Sequence, residues 1–403
     1  MRVDTMRKID YWAGVPLCFL FSILLRIAAF FTGSARVAPK NVLFIELSEM
    51  GSAIIVDPAM RKMQQAGANL HFLIFKNNAA SLRLLGTVPE ENVFTLRADG
   101  MVPLAVDALR YLFWVRRRRI DTVIDLELFS RVTALLTGLS GAPNRIGYHA
   151  FHNEGLYRGS MLTRKVAYNP HIHIAKNFVA LVDAALAEDE QVPFSKRVVS
   201  DGEVVLAKAV IPEAAKQAII ARVREDYAAF DPARQRIVLI NPNASDLLPQ
   251  RRWMPERFVE VMQRIIDSYP DVLVLITGAP AEREQAAELT QKVARERCVN
   301  FAGRVKFGEL PALYAISTLM LTNDSGPGHF SAVTDLRTFV IFGPETPALY
   351  GSLGNSTPIF AGFACSPCVS AANHRKTPCV DNACLKAITP DQVFATLRPA
   401  LET

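Results

Sequence analysis

A glycine-rich stretch, LTNDSGPGHFSA at residues 321–332, carries the residues best suited to bind an anion. Its apolar start predicts a strand that ends at Asn323, followed by a turn and a helix that begins near His329. Such a turn exposes backbone N–H groups at a helix N-terminus, where the helix dipole attracts phosphate and glycines let the anion approach closely. His329 would add a side-chain donor. The alternative is an ordinary strand-to-helix turn with Asp324 as its N-cap.

Two further segments carry groups that suit a nucleotide. The segment NPNASDLLPQRRW follows a predicted strand and contains Ser245, Arg251 and Arg252. Hydroxyl and guanidinium donors together suit a pyrophosphate, although exposed loop charge is the alternative. In the segment ITGAPAERE, Glu282 could accept hydrogen bonds from both hydroxyls of a ribose. Its alternative role is that of an acid in the first turn of a helix, where the helix dipole favours negative charge.

Four cysteines cluster near the C-terminus with the spacing C-x2-C-x10-C-x4-C. They are Cys365, Cys368, Cys379 and Cys384. This spacing could hold a structural zinc ion in a reducing compartment, form two disulfides in an oxidising one, or leave small buried thiols. The sequence leaves the three alternatives open.

The elements that must position these residues alternate between short apolar runs and helical patterns. Strands are predicted at residues 41–47, 71–75, 122–126, 236–241, 272–277, 319–322 and 338–342. A helix is predicted to begin at Pro255, with apolar residues on one face. The alternation predicts two α/β units with parallel sheets, which bind ligands at the carboxyl ends of their strands.

The N-terminal segment is almost entirely apolar over residues 11–31, which is long enough to cross a bilayer. Pro16 would break or kink its helix, and Arg26 places a charge inside the run. Basic residues flank it at Arg2, Arg7, Lys8, Arg36 and Lys40. We interpret the segment as a membrane anchor, either a kinked hairpin or a short span. A cleaved signal peptide is the alternative, and Arg26 argues against it because a signal has an uninterrupted apolar core.

Length and composition exclude several classes of protein. A chain of 403 residues is too long for one hydrophobic core, and a composition that is 50% apolar and 21% charged excludes extended disorder. The net charge is +6, and the first forty residues contribute six basic and two acidic side chains, or +4. The remaining chain is nearly neutral, so the charge does not indicate binding of nucleic acid.

The three motifs NPNASDLLPQRRW, ITGAPAERE and LTNDSGPGHFSA, followed by FGPETP, resemble in this order the second domain of the family 9 glycosyltransferases, the lipopolysaccharide heptosyltransferase group. NVLFIELSEMGSAIIVDPAM and IDTVIDLELFSRVTALLTGLSGAPNRIGY resemble the first domain of that family. The resemblance implies an α/β GT-B fold, with two Rossmann-like, doubly wound domains facing a central cleft. We therefore predict an anchor at 1–38, an acceptor domain at 39–190, interdomain helices at 191–235 and a donor domain at 236–403 with a cysteine-rich loop at 365–384.

The resemblance also implies an activity. A sugar would be transferred with inversion, and without a catalytic metal, from a nucleoside-diphosphate sugar to a lipid-linked or lipopolysaccharide-type acceptor at the cytoplasmic face of the inner membrane. The first domain would hold the acceptor and the second the donor. The implied donor-binding residues are Ser325, Gly326 and His329, with Asp324 orienting their loop, together with Ser245, Arg251 and Glu282.

The chain departs from the family pattern at the catalytic base. In the family an aspartate usually follows the glycine of the first turn, whereas this chain has Gly51-Ser52, and serine cannot act as a carboxylate base. Glu49 lies in the same turn and is our candidate base, with Glu46 as a weaker one. A noncatalytic nucleotide-sugar-binding homologue, serving as an assembly or regulatory partner, is the alternative function. A sugar-nucleotide epimerase of similar fold is a third.

Other charged residues of the first half have no assigned role in the chemistry. Asp125 and Glu127 follow a predicted strand, where structural capping is the expected role. The run Arg116 to Arg119 could bind an acceptor phosphate or anionic lipid, although such a run is usually a solvated helix face.

Overall fold

A computed structural model of the chain describes residues 3–32, 37–47, 49–128, 130–152, 155–245, 248–370 and 375–402. Arg2 and Arg36 of the predicted basic flanks lie outside these residues. The chain divides into two compact units, unit 1 from Met1–Val205 and unit 2 from Leu206–Ser370 with Arg375–Thr403. Each unit has its own six-stranded parallel sheet.

Unit 1 has the strand order β3-β2-β1-β4-β5-β6. Its strands are β1 (Asn41–Ile45), β2 (Asn69–Phe75), β3 (Val93–Leu96), β4 (Thr122–Asp125), β5 (Asn144–Tyr148) and β6 (Arg164–Val166). Its helices are α1 (Val3–Trp12), α2 (Gly14–Thr32), α3 (Met50–Ile55), α4 (Asp57–Gln65), α5 (Met101–Arg117), α6 (Arg131–Leu139) and α7 (Ile174–Leu186). The order of the strands reverses between β1 and β4, which are neighbours from Val42↔Thr122 to Ile45↔Asp125.

Helices cover both faces of the unit 1 sheet, which explains the continuous apolar runs of its central strands. Helices α5 and α6 share one face, since both follow crossovers that advance in the same direction across the sheet. Tyr111 of α5 and Leu136 of α6 are buried there with Leu43, Ile45 and Val123 of β1 and β4. The sheet, α5 and α6 therefore share one apolar core.

The N-terminal helices pack against the outside of α6. Cys18 of α2 is fully buried and packs with Ala134 of α6 and with Met161. Pro16 lies in the first turn of α2, where its missing N–H removes no intrahelical hydrogen bond, so the predicted break falls between α1 and α2. Within the described chain, one helical stretch, Thr5–Phe31, is long and apolar enough to cross a membrane, by length and composition alone.

Unit 2 has the strand order β12-β11-β10-β7-β8-β9. Its strands are β7 (Arg236–Asn241), β8 (Val272–Ile276), β9 (Cys298–Asn300), β10 (Leu319–Asn323), β11 (Arg337–Phe342) and β12 (Ser356–Phe360). Its helices are α8 (Glu213–Asp226), α9 (Pro255–Ser268), α10 (Arg283–Val293), α11 (Leu310–Ala315), α12 (Gly326–Phe330), α13 (Pro347–Tyr350), α14 (Ala383–Lys386) and α15 (Pro390–Leu401). Helix α9 begins at Pro255, as predicted, and buries Phe258, Val261, Met262, Ile265 and Ile266.

Trp253 is the largest side chain in the core of unit 2. It is 1% exposed and packs edge-on against Phe258, at 5.0 Å between ring centroids. Its Nε1 donates to the carbonyl of Ile388, at 3.0 Å. A buried indole needs such a partner, so the bond fixes the loop before α9 against the segment that leads into α15.

The docking of α2 depends on a glycine, and a pair of alanine substitutions tests it. Gly159 has φ +76° and an added Cβ would lie 2.5 Å from Ser22 Oγ and 2.7 Å from the Cys18 carbonyl. Gly155 has φ +77° but open space around it. We expect Gly155→Ala to cost about 1 kcal/mol of unfolding free energy from backbone strain alone, and Gly159→Ala about 1–3 kcal/mol more from the clash.

Denaturant unfolding and limited proteolysis of the N-terminal helices measure the two effects. We expect Gly159→Ala to accelerate cleavage within residues 3–32 and Gly155→Ala to leave it unchanged. Equal behaviour of the two variants would show that α2 is not held at Gly159.

Candidate functional site

Two of the three segments predicted to bind the donor, NPNASDLLPQRRW and LTNDSGPGHFSA, meet where the strand order of unit 2 reverses. Strands β7 and β10 are neighbours, and they end at Asn241 and Asn323. The Asn323 side chain binds both ends of the connection between β7 and α9: its Oδ1 accepts from the Trp253 N–H at 3.0 Å, and its Nδ2 donates to the Pro242 carbonyl at 2.7 Å. The connection between β7 and α9 and the turn after β10 therefore meet at the carboxyl ends of the strands, where such sheets bind ligands.

The glycine-rich turn is held by a side-chain hydrogen bond and by close packing. Ser325 is extended, with φ −160° and ψ 178°, and its Oγ donates to the Asn323 carbonyl at 3.2 Å. A Cβ at Gly326 would lie 2.7 Å from the Phe330 ring, so packing alone requires glycine there. His329 lies in α12 and is half-buried. The strand, turn and helix follow the predicted order, whereas phosphate binding by Ser325, Gly326 and His329 stays a prediction.

Arg251 is bound to two buried carboxylates rather than pointing freely into solvent. Its Nη2 lies 2.6 Å from Glu345 Oε1, and its Nε lies 3.4 Å from Asp324 Oδ2. Arg375 Nε approaches the same Glu345 oxygen at 3.7 Å, and its guanidinium lies 4.8 Å from the centroid of the Tyr350 ring. The four charged residues form a cluster, called here the Arg251 cluster, directly behind the predicted phosphate loop.

Burial sets the protonation of the Arg251 cluster. Burial raises the pKa of Glu345 to about 7, against the opposing effect of Arg251. Burial also raises the pKa of Asp324, again opposed by Arg251. Near neutral pH the Arg251 cluster therefore contains two charged arginines and one carboxylate, Glu345, that can take up a proton. Glu345 Oε2 and Asp324 Oδ2 are buried and have no hydrogen-bond partner among the described residues.

The predicted ribose carboxylate lies at the end of β8. Glu282 Oε2 accepts from the Ala279 N–H at 2.6 Å, so it caps its own turn, as its alternative role implied. Asn243 Nδ2 and Glu282 Oε2 would each lie 2.8 Å from a Cβ at Gly278, which places amide and carboxylate side by side. Ser245, on the neighbouring segment, is exposed. Binding of donor by Glu282 and Ser245 remains a prediction.

The predicted base lies at the corresponding position of unit 1, after β1. Glu49 precedes α3 with an extended backbone, is half-buried, and accepts a long hydrogen bond of 3.5 Å from the Ser52 hydroxyl. Glu46, the weaker candidate, is only 4% exposed. Of the two acids, Glu49 is thus the more accessible to a substrate, and its catalytic role stays a prediction.

Asp125 and Glu127 hold the end of β4 in place. Asp125 is fully buried and pairs with Arg158, which also donates to the Ser130 carbonyl at 2.9 Å. Glu127 Oε1 accepts from the Leu47 N–H at 3.1 Å. Burial raises the pKa of Asp125 to about 6, and Arg158 counteracts it. These contacts agree with the structural capping role expected of both acids.

A cavity of about 360 Å³ opens beyond the ends of β4 and β5. Its lining includes Asp125, Tyr148, Tyr157, Arg158 and Leu162. The Tyr148 hydroxyl is buried and has no hydrogen-bond partner in the part of unit 1 that the structure describes. The cavity thus combines polar groups with apolar walls within unit 1.

The four clustered cysteines differ in exposure. Cys365 is exposed, Cys368 and Cys379 are half-buried, and Cys384 is buried. Burial raises the pKa of the Cys384 thiol, and the neighbouring Cys368 and Cys379 add to the effect. Across the described ranges, no three His, Cys, Asp or Glu side chains are grouped closely enough to hold a metal ion. The structural zinc site stays a prediction.

Sequence reasoning did not single out Glu345, Arg375 or Arg158. Glu345 had a signal, since an acid directly after an apolar strand and a Gly-Pro pair is placed at the carboxyl end of the sheet. Arg375 and Arg158 lie in long connections, where the sequence pattern does not indicate which element they contact.

Comparison with solved structures identifies the fold of the chain. The Escherichia coli ADP-heptose LPS heptosyltransferase II is similar with a TM-score of 0.66 and 18% identity, over 90% of this chain and 98% of that one. A family 9 glycosyltransferase of Veillonella parvula gives a TM-score of 0.67 and 16% identity, over 91% and 98%. Together with the two sheets, these similarities define the class of protein: it has the GT-B fold of glycosyltransferases.

Sequence comparison identifies the family. The model of glycosyltransferase family 9 (heptosyltransferase) matches residues 112–377, which is more than half of the chain. The lipooligosaccharide heptosyltransferase 2 of Campylobacter jejuni is 28% identical over 172 residues, or 42% of this chain and 52% of that protein. The chain thus spans about half the length of this curated relative. It belongs to glycosyltransferase family 9.

Glu345 is expected to give a pH dependence to the stability of the protein. Its pKa rises on folding from its ordinary value of 4.5 to about 7, so its contribution to stability is fully present below pH 4.5 and is lost as pH rises to 7. Unfolding free energies of the wild type and of Glu345→Gln, measured at pH 5, 6 and 7, should show the wild type losing up to about 1.4 kcal/mol per pH unit relative to the variant.

Glu309→Gln is the matched control. Glu309 pairs with Arg222 at 2.9 Å, and that hydrogen bond lowers its pKa, so its contribution is lost only as pH falls below the ordinary range of glutamate. Between pH 5 and 7 the difference from wild type should be constant. A constant difference for Glu345→Gln as well would contradict a raised pKa at Glu345.

Proposed function

We propose that this chain is an inverting glycosyltransferase that moves a sugar from a nucleoside-diphosphate sugar to a lipid-linked or lipopolysaccharide-type acceptor. Membership of family 9 supports the reaction class, and the names of its relatives favour heptose as the sugar. The observation that carries the donor assignment is the meeting of two predicted donor segments at Asn323, at the strand-order reversal of unit 2. The noncatalytic homologue and the epimerase remain the alternatives.

In the proposed donor site, backbone N–H groups of the turn after Ser325 and the His329 side chain bind the diphosphate, and Ser245 adds a hydroxyl. Arg251 and Asp324 fix the position of this loop from behind, and Glu282 accepts from the ribose. The Arg251 cluster is neutral when both acids are ionised and carries +1 when Glu345 is protonated. Proton uptake at Glu345 would therefore offset part of the charge of an arriving diphosphate.

In the proposed chemical step, Glu49 removes the proton from the acceptor hydroxyl as that oxygen attacks the anomeric carbon of the donor. The diphosphate departs from the opposite face of the sugar, which inverts the configuration. Its developing charge is stabilised by N–H and cationic donors rather than by a catalytic metal. Unit 1 would hold the acceptor, for which its 360 Å³ cavity is the candidate subsite. The acceptor class and the N-terminal apolar helix favour the cytoplasmic face of the inner membrane.

Replacing the proposed base should separate chemistry from binding. We expect Glu49→Gln to lower kcat by at least roughly 100-fold and to leave donor affinity unchanged, because the amide cannot accept the proton. Glu91→Gln, at an exposed acid of the same unit, is the control. Transfer that continues unchanged in Glu49→Gln would place the base elsewhere, and absence of transfer by the wild type would favour the noncatalytic alternative.

Binding of the donor can be tested without an acceptor. A nucleotide sugar at 100 times its Kd should stabilise the protein by about 2.7 kcal/mol, so thermal shifts with ADP-, UDP-, GDP- and CDP-linked sugars should identify the nucleotide. His329→Ala should weaken the shift, and His171→Ala, at an exposed histidine of unit 1, should not. No shift with any of these sugars would contradict donor binding. Conversion of the donor without acceptor would indicate an epimerase.

A further inference from the structure

The N-terminal helices are attached to unit 1 along their length by polar contacts. Asp10 pairs with Arg131 at 2.9 Å and its Oδ1 accepts from the Arg131 N–H at 2.8 Å, at the beginning of α6. Ser22 Oγ accepts from the Ser160 N–H at 2.7 Å, and Arg26 donates to Ser160 Oγ at 3.2 Å. These contacts extend over sixteen positions, or roughly 24 Å of helix. The pair α1–α2 is therefore bound to unit 1 lengthwise.

The opposite side of α1–α2 exposes large apolar side chains. Trp12 is 77% exposed and Phe30 86% exposed, and further members of the row are Phe19, Leu20, Ile23, Leu24, Ile27 and Phe31. A helix buried in a soluble core would cover these residues, and only 17% of the most apolar part of this helix is buried. Such a contiguous apolar surface indicates an interaction site.

Helix α5, which lies on the same face of the sheet as α6, exposes a second apolar row. Val102, Val106, Leu109 and Phe113 are spaced at helical intervals and point to solvent, with Leu109 69% and Phe113 70% exposed. The buried side of the same helix packs into the core through Tyr111. We call the exposed rows of α2 and α5 together the apolar face of unit 1.

On α2 and α5 the exposed charged side chains are basic. Lys8, Arg26, Arg110, Arg116 and Arg117 are exposed, the last three on α5. The single acid of α5 is Asp107, which is buried and bound to Arg97 at 2.8 Å. Apolar rows bordered by Lys and Arg, with Trp and Tyr at one end, match the interfacial region of an anionic bilayer. They do not match a second copy of the same face, because its basic residues would repel.

We propose that unit 1 lies on an anionic lipid bilayer by this apolar face, with α1–α2 embedded in the interface rather than crossing it, and with α5 as a second, independent contact. A spanning helix would have to leave α6, which would expose the Asp10, Arg131 and Ser160 contacts to hydrocarbon or break them. Contact of this face with the membrane does not depend on which sugar is transferred.

Vesicle flotation of the full chain tests the contribution of α5. We expect Leu109→Gln with Phe113→Gln to reduce partitioning onto phosphatidylglycerol-containing vesicles at least roughly tenfold, since two large apolar side chains lose their contact with lipid. Val198→Gln with Val205→Gln is the matched control, since these residues of unit 1 are 87% and 69% exposed but lie outside the apolar face. The same partitioning for both double variants would overturn the proposal.

Charge and self-association provide further tests. Arg110→Gln with Arg117→Gln should weaken binding to anionic vesicles roughly fivefold or more for each arginine, and should change binding to pure phosphatidylcholine little. Equal losses on both lipids would overturn the role of anionic headgroups.

Light scattering in detergent would identify a self-association face if the α5 double variant were monomeric and the wild type dimeric, and that result would also contradict the proposal.

Topology distinguishes an interfacial helix pair from a span. A cysteine introduced by Thr5→Cys should react with a membrane-impermeant maleimide in inverted vesicles and not in intact spheroplasts, with peptide mapping to isolate position 5. A cysteine introduced by Lys40→Cys should react in the same way. Labelling of position 5 from the outside alone, or a mature protein without residues 3–32, would refute the proposal.

Thermal shifts with nucleotide sugars should be unchanged in the α5 variant, so failure of the membrane proposal is distinct from failure of the proposed reaction.

Discussion

The candidate donor site of unit 2 depends on the side chain of Asn323. This residue ends β10 in the middle of the sheet and is fully buried, so its amide must find partners within the protein. It finds them in the backbones of Pro242 and Trp253, which lie at the two ends of the connection between β7 and α9. Both ends of this connection are thereby fixed to the strand from which the glycine-rich turn emerges. The end of the connection is also held from the core, through the hydrogen bond of the Trp253 indole to the Ile388 carbonyl.

The Arg251 cluster joins the same part of unit 2 by ion pairs. A buried arginine needs carboxylate partners, and a pair of buried carboxylates around one arginine resists full ionisation. Asp324 belongs to the glycine-rich turn, Glu345 follows the next strand, and Arg251 belongs to the loop before α9. Protonation of Glu345 therefore changes the ion pairs that join these three segments. A negative charge bound next to the cluster and a proton bound by Glu345 would therefore stabilise each other.

Unit 1 has the same strand order with different side chains at its reversal point. Acidic side chains lie after β1 and β4 at this point, and Arg158 pairs with one of them, Asp125. Asp125 and Glu127 are engaged in holding β4 and the loop after β1, which leaves Glu49 as the more accessible acid. The outer side of this unit carries the N-terminal helices, whose polar contacts and apolar surface lie on opposite sides of one helix pair.

The sequence alone determined the central architecture of the protein. The seven strands that it predicts include the central strands β1, β4, β7 and β10, because strands buried on both faces must be continuous apolar runs. The strands that it missed are β3, β5, β6, β9 and β12. Four of these are the edges of the two sheets, where one side of the strand is unpaired and short or polar residues suffice.

The sequence also identified the glycine-rich turn and its companion segments, since local turn chemistry is encoded in adjacent residues. Only the tertiary structure decided that Arg251 meets Glu345, 94 positions away, that Asp125 meets Arg158, and that α2 is bound to α6 along one side. Such contacts join residues distant in the chain. Their partners are selected by the packing of strands and helices, which leaves no periodic signal in the residues themselves.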